Sequence, residues 1–377
     1  MKKKLKLNNK FFPVNEPLIT EKDIKSVVKI LKAGWVSSDG PEVKKFEAQL
    51  SKKVGKKYGI CVSNGTTALE IAIKSLKLKK GSEIIIPNFT IISSALAVIK
   101  NNCIPVLIDC DRNSWNMNLN EIKKKINKKT KCIIATHIYG YPIEIEKIKS
   151  ICKKKNIFLI EDAAEMLGHR YKNKQCGFYG DLSIFSFYAN KHITTGEGGM
   201  ILTNSKKHMQ SCKSLRNLCF GLGSNRFIHK EVSSNYRISN IQAALGLSQL
   251  NRIDNIIKRK IEIGKRYYQN LKNIKNIYIQ PPALNKISNV YWVVGIVFKN
   301  IKSAVIAKKL LQKNIQTRPF FYPMNKQPIL KKYIKSKEKF PNSSFISKFG
   351  LYLPSGIAIK NNHIDYICNI LKSILKN

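Results

Sequence analysis

YGICVSNGTTALEIAIKSLKLKKGSEIIIPNFTIISSALAVIKNNCIPVLID (58–109) alternates three short apolar runs with two helical stretches. YGICV (58–62), EIIIP (83–87) and IPVLID (104–109) read as strands, and GTTALEIAIKSL (65–76) and TIISSALAVIK (90–100) as helices. Short strands that are apolar throughout are buried on both faces, which predicts a parallel sheet wrapped by helices. The alternation continues through KCIIATHIYG (131–140), the helix EIEKIKSICKKK (144–155) and NIFLIED (156–162). This is an α/β chain built on a mostly parallel sheet.

On the amino-terminal side, Thr20 and Asp23 form a capping-box start to a helix carrying Ile24, Val27, Val28, Ile30 and Leu31. A second helix is predicted from about Pro41 to near Ser51, and the turn-rich AGWVSSDG (33–40) joins the two. Downstream, DLSIFSF (181–187) and GGMILT (198–203) are two strands close together, followed by a helix near 205–216 and a long helix from about Ile241 to Leu271. Beyond PPALN (281–285) the pattern becomes strand (291–298), helix (302–313), strand (315–318) and a last helix from about His363. Residues 1–250 are therefore expected to form a large unit with an amino-terminal arm, and 251–377 a smaller α+β unit.

The 377 residues carry 68 Lys+Arg against 23 Asp+Glu, a formal +45, which alone suggests a nucleic-acid binder. Only nine of those basic residues are Arg, the side chain that reads guanine and clamps phosphate, and the Lys are spread over the whole chain. That pattern is composition drift rather than a nucleic-acid surface. The basic start MKKKLKLNNKFFPV lacks the apolar core of a secretory leader, and the longest apolar run, YWVVGIVF (291–298), is far short of a membrane span. Nine Cys without a CxxC pair read as reduced thiols of a cytoplasmic protein. Six scattered His without HExxH or HxH give no metal signal.

Three stretches at strand ends carry chemistry, and open α/β sheets bind ligands at such ends. SNGTTAL (63–69) opens a helix after a strand: Gly65 permits close backbone approach, and Thr66 and Thr67 place hydroxyls beside free N–H groups, a phosphate site or an ordinary Thr-capped turn. Asp162 ends the strand of IFLIEDAAE (157–165), where a buried charge needs a partner: a protonated pyridine nitrogen, or the first N–H groups of a following helix. Lys191 in SFYANKHITTGEGGM (186–200) follows a strand and precedes Gly-Glu-Gly-Gly (196–199), which lets backbone crowd a ligand. A lysine desolvated there forms a Schiff base with an aldehyde; otherwise it is one more solvated surface lysine. A phosphate cradle, a carboxylate for a ring nitrogen and a lysine for an aldehyde together are what pyridoxal 5'-phosphate requires.

At these residues the chain resembles the DegT/StrS nucleotide-sugar aminotransferases, pyridoxal-phosphate enzymes of the aspartate aminotransferase fold (fold type I). The resemblance runs from AGWVSSDGPEVKKFE (33–47) through NYRISNIQAALGLSQL (235–250) to RPFFYPM (318–324). Within the group, WVSS, DRNSWNMN (111–118), EDAAE and RPFFYPM are most similar to the branch that makes GDP-perosamine. The resemblance implies that Lys191 carries the cofactor, that Asp162 pairs with the pyridinium nitrogen, and that Ser186 holds the phosphate with Gly65 and Thr66. It puts Glu165 near the ring hydroxyl, lets Gly196–Gly199 pass beside the sugar, and sends Asn235 to the phosphate across a homodimer interface. Trp35, Ser37, Ser38, His192, Gly196, Glu197, Arg318 and Tyr322 are the implied substrate side. Three positions depart from the group: Ile91 where an aromatic residue often covers the cofactor face, His192 where an aliphatic residue follows the lysine, and Asn325 where His is common.

The implied reaction moves an amino group from glutamate, leaving 2-oxoglutarate, to C4 of a nucleotide-linked 4-keto-6-deoxy sugar. A 3-keto or a UDP- or dTDP-linked acceptor is the alternative. The rival from another class, a non-catalytic basic nucleic-acid binder, rests on the charge alone.

Overall fold

The computed structural model describes residues 10–221, 223–229, 231–334 and 338–376. Helices α1 (Glu21–Lys32) and α2 (Pro41–Val54) precede a seven-stranded sheet. Its strands and covering helices run β1 (Tyr58–Val62), α3 (Gly65–Ser75), β2 (Glu83–Pro87), α4 (Ser93–Lys100), β3 (Ile104–Ile108), α5 (Leu119–Lys125), β4 (Thr130–Thr136), α6 (Ile145–Lys155) and β5 (Phe158–Asp162). A small hairpin, β6 (Arg170–Tyr171) with β7 (Lys174–Gln175), leads to β8 (Leu182–Ser186), β9 (Gly199–Thr203) and α7 (Lys206–Arg216). The strand order is β1-β9-β8-β5-β4-β2-β3, parallel except for β9, which runs against both neighbours.

The apolar strands bury both faces, as their composition requires. On β2, Ile84 and Ile86 enter the core under α3, α4 and α7, while Ile85 faces the core under α2 and α6. α8 (Asn240–Leu250) and α9 (Ile253–Leu271) complete the second face and lead into the carboxyl-terminal elements. These are β10 (Ile277–Ile279), the hairpin β11 (Ala283–Leu284) and β12 (Ile287–Ser288), β13 (Val294–Phe298), α10 (Ser303–Leu311), β14 (Arg318–Pro319), α11 (Pro341–Phe349), β15 (Gly350–Leu353) and α12 (Asn361–Lys376). A second, antiparallel sheet has the order β10-β13-β15-β14. Phe12, at the start of the described chain, bridges to Ile315 and packs in the core of this second sheet.

Two expectations need correction. The helix expected over 241–271 is two helices, interrupted at Asn251–Arg252, where Arg252 leaves helical geometry (φ −116°, ψ 15°) and its guanidinium bonds Asp23 and the Leu18 carbonyl. The apolar pattern runs through the break, so periodicity could not reveal it. The helix expected from residue 90 starts at Ser93, because Thr90–Ile92 turn the chain past the end of β2. Among the described residues no helix is long and apolar enough to cross a membrane.

Asp23 does more than close the capping box at Thr20. Buried, it accepts from Thr20 N–H at 2.8 Å, from Ser248 Oγ at 2.7 Å and from Arg252 Nη2 at 2.5 Å, tying α1 to α8 and to the helix break. Burial alone would raise its carboxyl, but the Ser248 and Thr20 hydrogen bonds and the Arg252 charge together hold it below the usual range. A carboxylate lowered in the fold contributes stability above its unfolded pKa that is lost as pH falls through its folded value. Asp23→Asn is expected to cost about 2–3 kcal/mol in urea unfolding at neutral pH, and the gap from the parent chain should narrow in acid. An equal gap at both pH values would remove Asp23 from this role.

Candidate active site

Because β9 is reversed, its first residue, Gly199, lies in register between Val62, the last residue of β1, and Ser186, the last of β8. The same edge receives the ends of β4 and β5, Thr136 and Asp162. A cavity of about 430 Å³ opens there, walled by these strand ends, by the turns after β1 and β2, and by Trp292, Arg318, Phe321 and Tyr352 from the carboxyl-terminal part.

At one end lies the start of α3. Asn64, not a threonine, caps this helix: its Oδ1 accepts from Thr67 N–H at 2.8 Å, and Thr67 Oγ1 donates to the Asn64 carbonyl at 2.8 Å. Thr67 is thus consumed in the cap, while Thr66 Oγ1 lies 2.8 Å from Ser93 Oγ in the cavity wall. The N–H groups of Gly65 and Thr66 have no acceptor among the described residues. A Cβ on Gly65 would lie 3.4 Å from Ser186 Oγ, so hydroxyls and free N–H groups converge as an anion site needs. The glycines of 196–199 have different neighbours: Gly196 has a positive φ and open space around it. A Cβ on Gly199 would come 2.5 Å from the Asn64 carbonyl oxygen, and one on Gly198 would strike Thr195 Oγ1 at 2.2 Å. Gly199 lets β9 press against the anion-binding turn, Gly198 gives room to the Thr195 side chain, and of this run Glu197 lines the cavity.

In the middle sit two carboxyls and a lysine. Asp162 is buried; one oxygen accepts from Ala164 N–H at 3.2 Å and the other lies 3.4 Å from Thr136 Oγ1. Residues 163–168 form turns, so no helix follows for it to cap. Burial raises its carboxyl, against the opposing pull of the Ala164 N–H and the Lys191 charge. Glu165 Oε2 accepts from Tyr139 N–H at 2.6 Å, and Oε1 lies 3.9 Å from Lys191 Nζ; burial pushes this carboxyl up to about 8 although Lys191 draws it down. The Lys191 side chain is only 13% exposed. Burial lowers its ammonium pKa, against the charges of Glu165 and Asp162. A lysine so placed supplies a neutral amine more readily than a solvated one.

Beneath these groups Glu161, unassigned by the sequence, fixes the end of β5. It is fully buried, lies 3.1 Å from His137 Nε2 and accepts from the N–H groups of Gly177, Tyr179 and Gly180. Burial would raise it, but His137 and these N–H groups outweigh burial and keep it low.

Of the residues singled out in the sequence, Gly65, Thr66, Ile91, Asp162, Glu165, Ser186, Lys191, Glu197 and Arg318 line the cavity. His192 does not. It is buried facing away, with Nδ1 3.0 Å from the Leu167 carbonyl oxygen, and burial together with the Lys260 charge lowers its pKa to about 3. Trp35, Ser37, Ser38, Gly196 and Tyr322 also lie outside the lining. The Trp35 and Ser37 carbonyls accept from Asn240, which packs the 35–40 turn on the start of α8. Asn235 is exposed, bridges to Asn217, and does not reach the cavity of its own chain. Asn325 pairs with Asn88 through its N–H and its side-chain amide and does not line the cavity. Sequence reasoning missed Ser93, Thr136, Asn190, Trp292 and Tyr352. Apart from Asn190, beside the lysine, they come from segments with no motif near the three stretches.

Anion-binding turn, strand-end carboxyl and buried lysine fit pyridoxal phosphate, and with this sheet they define a pyridoxal-phosphate-dependent transferase of fold type I. The chain belongs to the DegT/DnrJ/EryC1/StrS aminotransferase family, whose model matches residues 17–372. It is 37% identical over 361 residues to a GDP-perosamine synthase of Escherichia coli O157:H7, covering 95% of this chain and 97% of that protein. It is 35% identical to the GDP-perosamine synthase of Vibrio cholerae, covering 96% and 98%. Among solved structures, Helicobacter pylori PseC, an aminotransferase involved in the biosynthesis of pseudoaminic acid, superposes with a TM-score of 0.92 over 97% of this chain and 100% of its own, at 23% identity.

Gly199→Ala tests the pressed turn, since its methyl group can be placed only by moving the Asn64–Gly65 backbone. Equilibrium titration with pyridoxal phosphate should show affinity lower by roughly tenfold or more, ~1.4 kcal/mol, together with a lower melting temperature, since the buried backbone must shift. Unaltered affinity would separate Gly199 from the anion site.

Proposed function

We propose that this chain transfers the amino group of glutamate to C4 of a GDP-linked 4-keto-6-deoxy sugar, giving a 4-amino-4,6-dideoxy sugar of the perosamine type. The observation that carries this reading is Lys191 Nζ, buried 3.9 Å from Glu165 in a cavity that Asp162, Gly65 and Thr66 also line. The identity to GDP-perosamine synthases over nearly the whole chain supports the acceptor. Gly65 and Thr66 N–H groups with Ser186 Oγ hold the cofactor's phosphate, Asp162 faces its ring nitrogen, and Glu165 its ring hydroxyl. The cofactor, when bound, supplies an electron sink for the carbon being deprotonated. Lys191 Nζ takes the α-proton of glutamate in one half of the reaction and delivers a proton to the sugar carbon in the other, as a buried amine of lowered pKa can. Arg318, the cationic side chain in the wall opposite, is placed for the donor's carboxylate or the sugar's diphosphate.

We divide the chain at 250/251, supported by the break between α8 and α9. The first part holds the cofactor, and residues 251–377 close the cavity with Trp292, Arg318, Phe321 and Tyr352. We further propose a homodimer in which Asn235 reaches the partner's phosphate site. Supporting it, Phe227 is 77% exposed, Ile228 56% and Val232 88%, apolar side chains in the segment leading to Asn235 that a second copy would cover. The nine buried free thiols suit a reducing cytoplasm.

Lys191→Ala should abolish both amino transfer and the visible absorbance of bound cofactor. Incubation of the parent chain with glutamate and a panel of GDP-, UDP- and dTDP-linked keto sugars should add an amine, by mass, to the GDP-linked 4-keto sugar. Transfer by Lys191→Ala overturns the lysine assignment, and amination of another acceptor alone overturns the substrate. Mixing inactive Lys191→Ala with Asn235→Ala should restore up to about a quarter of activity through dimers carrying one intact site. No recovery after subunit exchange would place each site within one chain.

A further inference from the structure

The indole of Trp292 makes two contacts with the lysine turn. Its ring centroid lies 3.8 Å from Lys191 Nζ, and its Nε1–H donates to the Asn190 carbonyl at 2.8 Å. Trp292 is itself fixed. It is buried, packs beside the Tyr139 ring, and a Cβ on Gly140 would fall 2.4 Å from its backbone nitrogen. Tyr139, next to that glycine, holds Glu165 through its N–H. The aromatic face and the carboxylate that flank the amine are thus set by one turn, 139–140, pressed against the segment entering β13.

We propose that Trp292 is the seat of the Lys191 amine whenever that amine is not bonded to the cofactor, its ring face holding the ammonium form over the cavity between proton transfers. The proposal rests on the reading of Lys191 given above. A ring face attracts the cation without being able to accept its proton, whereas Glu165 and Asp162 attract it and can. An amine seated on the indole therefore stays charged and within reach until it gives its proton to a reacting carbon. The Nε1–H bond to Asn190 fixes the backbone from which the lysine pivots. The other charged or titratable groups lining the same cavity are Asp162, Glu165, Glu197, Arg318, Tyr188 and Tyr352, and His137 lies behind Asp162, paired with Glu161.

The test uses cofactor-free protein and the pH dependence of its reaction with pyridoxal phosphate, in which the neutral amine bonds to the aldehyde carbon and one water leaves. The acid limb of that rate reports the Lys191 pKa, which a seat on the indole raises. Trp292→Met should move the midpoint down by about one pH unit, the size of a desolvated cation–π contact, and speed attachment up to about tenfold below it. Trp292→Phe, which keeps a ring face, should move it less. If Met is not tolerated, increasingly fluorinated tryptophans at 292 weaken the ring's attraction without changing its packing, and the midpoint should fall stepwise. A flat series, or a Met variant that folds and titrates like the parent, overturns the seat. Tight attachment of one cofactor per chain persisting in Lys191→Ala, beyond the weak reaction of the other lysines, would instead overturn the reading of the lysine, a separate outcome.

Discussion

The site depends on the reversed direction of β9. A strand running with its neighbours would bring Thr203 to the edge where β1 and β8 end; running against them, β9 brings Gly199. That strand must lie within van der Waals distance of the Asn64 carbonyl, and only a residue without a side chain permits it. The anion-binding turn, Ser186 and the lysine segment then come together as the two ends of one three-strand row. The antiparallel step also makes the 187–198 connection a compact loop, so Lys191 sits over the strand ends rather than beyond them.

Buried charge is the main cost of this arrangement, and each group has its own compensation. Glu161 is met by His137 and three N–H groups and stays low. Asp162 has weaker partners, Ala164 N–H and a distant Thr136 hydroxyl, and is held high. The neighbouring carboxyls of one strand end thus differ in character: the first is fully satisfied by protein partners, the second only weakly. Glu165 and Lys191 face each other at 3.9 Å under the same burial, which raises the one and lowers the other. The +45 charge of the chain plays no part in this. The site relies on one lysine set among carboxyls, and a diffuse positive surface adds at most modest attraction for anionic substrates.

The chemistry-bearing residues that the sequence exposed were those with local signatures. Gly65 opens a helix, Asp162 ends an apolar strand, and Lys191 precedes a glycine run, so strand ends could be found from hydrophobic runs alone. What failed were inferences about direction. His192 is adjacent to the lysine in sequence, yet the bend of the loop at 191–193 turns it into the core against Leu167. Thr67 belongs to the cap and Thr66 to the cavity although their hydroxyls are neighbours in the chain. The break at Asn251–Arg252 escaped because apolar spacing continues across it, while its cause, Asp23, is more than two hundred residues away.

The sequence by itself determined the alternation of short apolar strands with helices, where those strands end, and the placing of Gly65, Asp162 and Lys191 at those ends, because each is written in the spacing of about ten neighbouring residues. Tertiary structure alone decided the reversal of β9, the satisfaction of Glu161, and the arrival of Trp292, Arg318, Phe321 and Tyr352 from the second sheet. Those outcomes follow from packing between separate segments, from 16 to 24 residues apart around Glu161 and well over a hundred for the residues arriving from the second sheet. Burial and close approach there are properties of the assembled surfaces, and no spacing along the chain encodes them.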